Sequence, residues 1–322
     1  MRIDESIHRI ELPLGERFVC VFPVQTKEGV ILVDSGMKEH WHQHIMPYMD
    51  SIGFDAKELR AILVTHSDVD HCGSNQLAVE ANPRIGIWAH TGDADLISNL
   101  EVMISNRYRE AEGVHLLRED DSALAWMREN TATIPVTTRL TGGEQFLTMD
   151  NRWATVLHVP GHSEGHLALW FEASATAIIA DAVLHRFVPT KEGNPAFPPT
   201  YRYVNQYLES IRILRSLRLD TMLTSHYKVL RGPEIEVFLE ESEQFVRTLD
   251  EAMLSTLERY HNGMTLKQLV SAIHSSMDIW PKGTESGLVY PLLGHLERAE
   301  RLAAVSVDTT RRPAVIQRRD ST

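Results

Sequence analysis

The apolar run Ala61-Ile62-Leu63-Val64-Thr65 leads straight into His66-Ser67-Asp68-Val69-Asp70-His71-Cys72-Gly73, and this junction constrains the chain more than any other stretch. A short apolar run closed by polar residues suits a buried strand. The end of such a strand aims its side chains into the crevice at the sheet edge, where α/β proteins place their ligands. Residues two apart in an extended segment face the same way, so His66 and Asp68 converge on one point. Asp70 and His71 follow as the chain turns toward a helix and address a second point nearby. Imidazole plus carboxylate is a donor set for zinc or iron, and carboxylates bridge paired metals readily. Helix capping does not call for four titratable groups within six residues.

The same punctuation recurs three times. His162 follows an apolar run at 153–158 through Val159-Pro160-Gly161. Asp181 follows a run at 177–179, and His226 follows Thr221-Met222-Leu223-Thr224 through Ser225. Further strands are expected within 8–35 and at 84–88, 136–140, 144–148 and 167–171, with helices at 38–52 and 205–218. Residues 93–130 are polar and helix-prone and read as a helical insertion. The stretch 189–203 is rich in proline, glycine and aromatics and reads as a loop long enough to be functional. Beyond Gly232-Pro233 the pattern is helical to about residue 305, with strand-like 304–307 and 314–316 at the end. This order predicts an α/β sandwich over 1–232 and a helical appendage over 233–322.

Charge and composition narrow the function classes. Thirty-two Lys and Arg against 44 Asp and Glu leave a net charge of −12, so the overall field does not steer the chain to nucleic acid. Two cysteines, Cys20 and Cys72, cannot frame a disulfide scaffold and fit a reducing compartment. No apolar stretch approaches the ~18 residues of a membrane span. The expectation is a cytoplasmic protein without membrane attachment. Of the sixteen histidines, His40, His42 and His44 alternate on a predicted helix and so do not share a face, which argues against a further metal site there.

The motifs together resemble the metallo-β-lactamase superfamily. Its pattern of H-x-H-x-D-H, a later P-G-H-T/S-x-G-H, an Asp after a strand and a final His is met here by His66-x-Asp68-x-Asp70-His71, Pro160-Gly161-His162-Ser163-Glu164-Gly165-His166, Asp181 and Ser225-His226. Leu32-Val33-Asp34-Ser35-Gly36 matches the early strand and turn of that family. The resemblance implies an αββα sandwich with two divalent metal ions, zinc foremost, between the sheets. It assigns His66, Asp68 and His162 to one ion and Asp70, His71 and His226 to the other. Asp181 bridges them, Asp34 orients a ligand histidine, and His166 is structural. Asp68 departs from the family, which usually has His there. A carboxylate hardens that position and favours iron or manganese in relative terms. The tail is similar to the winged-helix-like extension of some hydrolases of the superfamily. Such a module can bind nucleic acid, but the acidic chain favours packing, with a homodimer as one use.

The resulting expectation is hydrolysis of a small ester, lactone or thioester by a metal-bound hydroxide, with Asp70 orienting it and handling its proton. His185, Arg186, Phe197, Tyr201, Arg202 and Tyr203 are the expected substrate-pocket residues. Two alternatives stand beside this reading. Asp68 prompts a diiron redox or oxygen-using enzyme, although no glycine-rich flavin phosphate loop follows residue 230. The tail prompts a hydrolase that processes nucleic acid.

Overall fold

Apolar side chains on both faces of the strands decide the architecture. In β2 (Arg17–Thr26), Val19 and Val21 point to one side, while Phe18, Cys20, Phe22 and Val24 point to the other. β3 (Gly29–Val33) splits likewise into Val30 and Leu32 against Ile31 and Val33. A strand apolar on both faces must be covered on both. The computed structural model, which describes residues 1–319, covers them with a second sheet on one side and helices on the other. Residues 320–322 of the expected appendage lie outside the described residues.

The first sheet holds, in order, β1 (Ile10–Leu14), β2, β3, β4 (Leu59–Leu63), β5 (Gly86–His90) and β6 (Thr138–Leu140). It is antiparallel from β1 to β3 and parallel from β3 to β6. The second sheet is built from β7 (Gln145–Leu147), β8 (Trp153–His158), β9 (Leu167–Phe171) and β10 (Thr176–Ala180), joined by Thr221–Thr224 and Leu230–Arg231. Here only β10 and Thr221–Thr224 run parallel. Ile31, Val33 and Leu63 of the first sheet pack against Val156, Leu169, Ile178 and Leu223 of the second. Trp41, Ile45, Met49, Ala78, Ile97 and Met103 cover the outer face of the first sheet. The mixed α/β sandwich expected from the motif order is therefore the fold.

Two expectations are refined. The segment 189–203 is not all loop, since Val188–Pro189 and Pro195–Phe197 pair as a short hairpin. The chain then runs inward, and Tyr201 is fully buried, stacked on Tyr207 with ring centroids 4.4 Å apart. The insertion is a string of short helices from Ala94 to Asn130.

The C-terminal helices Pro233–Arg259, Leu266–Met277 and Val289–Arg301 are followed by a hairpin of Val305–Asp308 with Val315–Arg318. Met264 bridges to Ile316 on that hairpin. Helix, short strand, two helices and hairpin is a winged-helix order. The second helix of the helix–turn–helix pair, the one that would enter a DNA groove, is Val289–Arg301. Every residue from Tyr290 to Leu296 on it is buried. Leu292, Leu293 and Leu296 share one core with Val204, Ile211, Phe245 and Leu269, so this helix serves as packing. Arg202 ties the layers together. Its Nε lies 2.9 Å from Glu110 Oε1 of the insertion and its Nη1 lies 3.0 Å from Glu297 Oε2 of the last helix.

Glycine is required where backbones touch. A Cβ on Gly294 would stand 2.0 Å from the Arg202 carbonyl oxygen. Gly294→Ala should therefore push the last helix off the body and cost about 1–3 kcal/mol, read as a lower midpoint in urea unfolding with an unchanged slope.

Candidate metal centre

Strand register delivers the polar residues to one edge. Val33 pairs with Leu63, so the residues that follow, Asp34 and Thr65, emerge side by side. Ala180 pairs with Thr224, so Asp181 and His226 emerge together opposite them. His66 and Asp68 sit on the turn after β4, and Asp70 and His71 on the short helix Val69–Cys72 that follows. His162 stands on the turn between β8 and β9, which is anchored by Leu167 N donating to Thr65 O at 2.8 Å. Gly161 is needed on that turn: its φ is +140°, and a Cβ there would stand 2.4 Å from Tyr207 Cα. Asp93, buried, clamps both turns by accepting from Ser67 N at 3.0 Å and Gly165 N at 2.8 Å.

All seven residues expected to face the metals meet in this cleft. Two clusters form: His66, Asp68 and His162, and Asp70, His71 and His226. Within each, one donor atom per residue lies within 4.8 Å of the others. Asp181 Oδ2 is 3.1 Å from His226 Nε2 and 3.6 Å from His71 Nε2. Asp70 Oδ2 is 3.7 Å from His226 Nε2 and 3.8 Å from His71 Nε2. Donors on a tetrahedral ion with bonds of ~2.1 Å are about 3.4 Å apart, so these four spacings fit one ion.

Hydrogen bonding sets the tautomers. Thr65 donates to Asp34 through its backbone N at 2.7 Å and its hydroxyl at 2.8 Å. With its one hydrogen so placed, the hydroxyl accepts from His66 Nδ1 at 2.9 Å. His71 Nδ1 donates to Asp34 Oδ2 at 2.8 Å, and His226 Nδ1 donates to the Phe18 carbonyl at 2.7 Å. Each of these rings therefore turns an Nε2 lone pair into the cleft. His66 Nε2, His71 Nε2 and Asp181 Oδ1 are buried without any hydrogen-bond partner among the described residues. Orphaned buried acceptors of this kind are costly unless a cation takes them. His166, also buried with both ring nitrogens unpaired, stacks on His66 at 4.8 Å and backs it.

The electrostatics agree. Burial alone would lower the His71 pKa, yet Asp70, Asp181 and Asp34 outweigh it and hold the ring well above the usual histidine range. Burial, then His71 and His162, pushes His66 well below that range. Burial would raise the Asp181 carboxyl, but His226 and His71 hold it well below its ordinary value. A cluster of carboxylates that drives imidazoles to charge is asking for positive charge.

One residue near the donors was not foreseen. Arg107, from the helical insertion, forms a two-point ion pair with Asp68, its Nε on Oδ1 and its Nη2 2.9 Å from Oδ2. Nη2 also lies 3.1 Å from His162 Nε2, and Tyr108 OH is 3.2 Å from Asp68 Oδ1. Burial would raise the Asp68 carboxyl, but chiefly Arg107 holds it well below its usual range.

The expected pocket residues fare differently. Phe197 lines the cleft, a cavity of about 330 Å³ shared with Arg17, Trp126, Thr200, Ser286 and Tyr290. Tyr201 is sealed in the core, its hydroxyl 2.8 Å from His295 Nε2. Arg202 is engaged by Glu110 and Glu297, and Tyr203 lines a separate hollow with it. His185 pairs with Glu241 at 2.6 Å. Arg186 is exposed, and its carbonyl accepts from Trp280 Nε1. Proximity in sequence to Asp181 misled the expectation, because the chain leaves the cleft after Asp181 and returns only at the hairpin. Besides Phe197, the cavity beside the donors is lined from the insertion and the last helix, which carry no ligand-type motif.

The sequence profile of the metallo-beta-lactamase superfamily matches residues 14–226, about two thirds of the chain. The chain belongs to this superfamily, whose members are generally metal-dependent hydrolases. Among solved structures, it is similar to the metallo-beta-lactamase family protein TTHA1429 from Thermus thermophilus. That likeness has a TM-score of 0.78 and 18% identity, covering 99% of this chain and 100% of that one. A beta-lactamase domain protein from Burkholderia ambifaria gives a TM-score of 0.74 at 19% identity, over 99% and 93% of the two chains. At that coverage both likenesses extend over the C-terminal segment. A metallo-beta-lactamase superfamily protein from Sulfolobus tokodaii reaches 0.55 at 16% identity over 74% of this chain and 86% of its own. These likenesses show the fold. Among curated proteins, the transcription termination factor FttA of Methanocaldococcus jannaschii is 29% identical over 86 residues, 22% of this chain and 13% of that protein. The chain thus spans about an eighth of that relative.

Asp34 holds φ at +61°, a left-handed conformation that Asn also tolerates. Asp34→Asn should keep the backbone but present an NH₂ to His71 Nδ1, favouring the tautomer that protonates Nε2. Metal affinity should fall about 10–100-fold in a chelator competition, with an unchanged circular dichroism spectrum.

Proposed function

We propose that this chain hydrolyses a small ester, lactone or thioester with an apolar acyl portion, using a divalent ion, zinc foremost, held by Asp70, His71, Asp181 and His226. The observation that carries the proposal is the convergence of the unpaired His71 Nε2 and of His226 Nε2 on Asp181 Oδ2 at spacings one ion would bridge. When bound, such an ion supplies a water acidified toward a pKa of about 7 and a Lewis acid for the carbonyl oxygen.

The remaining work falls to side chains. Asp70 lines the cleft within reach of both His71 and His226, where a carboxylate can orient the attacking water and accept its proton. Asp34 keeps His71 in its ligating tautomer. Phe197, Trp126 and Tyr290 wall the cleft for the acyl group, and Arg17, stacked 5.3 Å over Phe197, offers a guanidinium to an anionic end. A second cavity of about 320 Å³ shares Arg107, Tyr108 and Tyr290 with the cleft and continues between Leu117, Val270, Val289 and Leu293. That apolar extension favours acyl substrates over compact, highly charged ones.

The diiron alternative rested on a free carboxylate at Asp68. Both oxygens of Asp68 are engaged by Arg107, which speaks against that reading. Nucleic-acid processing is the second reading, supported by the short match to the termination factor. The buried helix Val289–Arg301 and the net charge of −12 speak against it. It requires affinity that falls steeply with salt, so absence of RNA or DNA binding in a filter assay at low salt would remove it.

Purified protein should be assayed on a panel of aryl esters, lactones and acyl thioesters, with and without chelator. Chelator-sensitive turnover of at least one class is expected, and none from any class with metal bound would overturn the proposal. Asp181→Ala should lower kcat/KM by at least about a hundredfold. Tyr290→Ala should raise KM for longer acyl chains with little change in kcat.

A further inference from the structure

The two donor clusters differ in their charge balance. Around Asp70, His71, Asp181 and His226, two carboxylates face one another with no Lys or Arg ion pair formed to either among the described residues. Around His66, Asp68 and His162, the single carboxylate already has a cation. The Arg107 guanidinium grips Asp68 at two points and reaches His162 Nε2 at 3.1 Å. It is held there by a further donation from Nη1 to the His162 carbonyl at 3.3 Å and by the Tyr290 ring, 5.6 Å from its carbon.

Ligation needs lone pairs, and this cluster has given up two of its three. Arg107 Nη2 carries two hydrogens, one directed at Asp68 Oδ2 and one at His162 Nε2. In the other tautomer, His162 Nε2 donates to Asp68 Oδ2 across 2.9 Å. Under either arrangement the His162 Nε2 that faces Asp68 and Arg107 has no lone pair left for an ion. Arginine does not deprotonate to make way, and a divalent ion brought within bonding distance of Asp68 would meet a fixed positive charge on the same oxygens. Among the described residues, His66 Nε2 stays free, as does Nδ1 on the other edge of the His162 ring.

We infer that Arg107 is the resident cation of the His66–Asp68–His162 cluster, so that the chain binds a single metal ion, at Asp70, His71, Asp181 and His226. This departs from the pair of ions expected from the superfamily pattern. It also gives Asp68 a reason: a histidine at 68 would leave Arg107 buried without a counter-charge, and a buried unpaired charge is costly. The two residues act as a unit drawn from separate segments, the turn after β4 and the insertion. The inference rests on the metal-dependent reading above.

The test is stoichiometry. Protein stripped with chelator, reloaded with excess Zn(II) or Co(II) and desalted should retain one equivalent per chain by inductively coupled plasma mass spectrometry. Calorimetric titration should show one binding event. The double variant Asp68→His/Arg107→Leu, which restores an imidazole and removes the guanidinium, should retain two. Arg107→Leu alone should gain a second, weaker equivalent, and if it fails to fold, the wild-type count and the double variant still decide. Two equivalents of comparable affinity in the wild type would overturn the inference while leaving ester hydrolysis standing. One equivalent in the double variant would also overturn it. One bound ion with no turnover across the substrate panel would instead sink the functional proposal and leave this one intact.

Discussion

Three hydrogen bonds to one buried carboxylate organise the metal-facing edge. Asp34 follows β3, accepts twice from Thr65 just beyond β4, and takes the Nδ1 hydrogen of His71. It is wholly buried, and burial pushes its carboxyl pKa up, an effect partly offset by His71 and Thr65. A carboxylate in such a place persists because both of its oxygens are hydrogen-bonded. Through Thr65 the same hub reaches the Nδ1 of His66. The orientation of two ligand-type rings thus depends on one carboxylate hub.

Much of this was legible in the sequence. The apolar runs that end in His66, His162, Asp181 and His226 announced strands opening on one edge, because strand ends in register must deliver their next residues to the same place. The match of Leu32-Val33-Asp34-Ser35-Gly36 was enough to mark Asp34. Arg107 was not legible, since a lone arginine inside a polar helical segment has no pattern that distinguishes it from surface charge. The signal lay in its partner instead. A carboxylate where an imidazole is usual adds a negative charge to a buried position, and that charge needs an answer from somewhere. Two of the expected pocket residues lie away from the cleft for another reason. Tyr201 and Arg202 are close in sequence to the Phe197 hairpin, but Tyr201 packs inward on Tyr207 and Arg202 bridges Glu110 to Glu297. Their types were read correctly as aromatic and cationic, but the direction of the chain could not be.

The C-terminal segment shows how a module's architecture can be kept while its usual surface is consumed. Helix, strand, helix, helix and hairpin are all present, yet the helix that would face a DNA groove is buried from Tyr290 to Leu296. His295 joins Asp250, 2.5 Å from its Nδ1, to the Tyr201 hydroxyl inside the core. Gly294 lets this helix lie directly on the Arg202 backbone. The segment has become a wall of the catalytic body, with Tyr290 and Ser286 presented to the cleft.

That wall is assembled from three stretches with no donor residue in them except through Arg107: the hairpin with Phe197, the insertion with Trp126, and the last helix with Tyr290. Selection on what enters the cleft can therefore act on parts of the chain that leave the chemistry untouched. Two proteins with identical donor motifs could diverge in diet within a few substitutions, and kinship judged from those motifs would say little about which molecules each consumes.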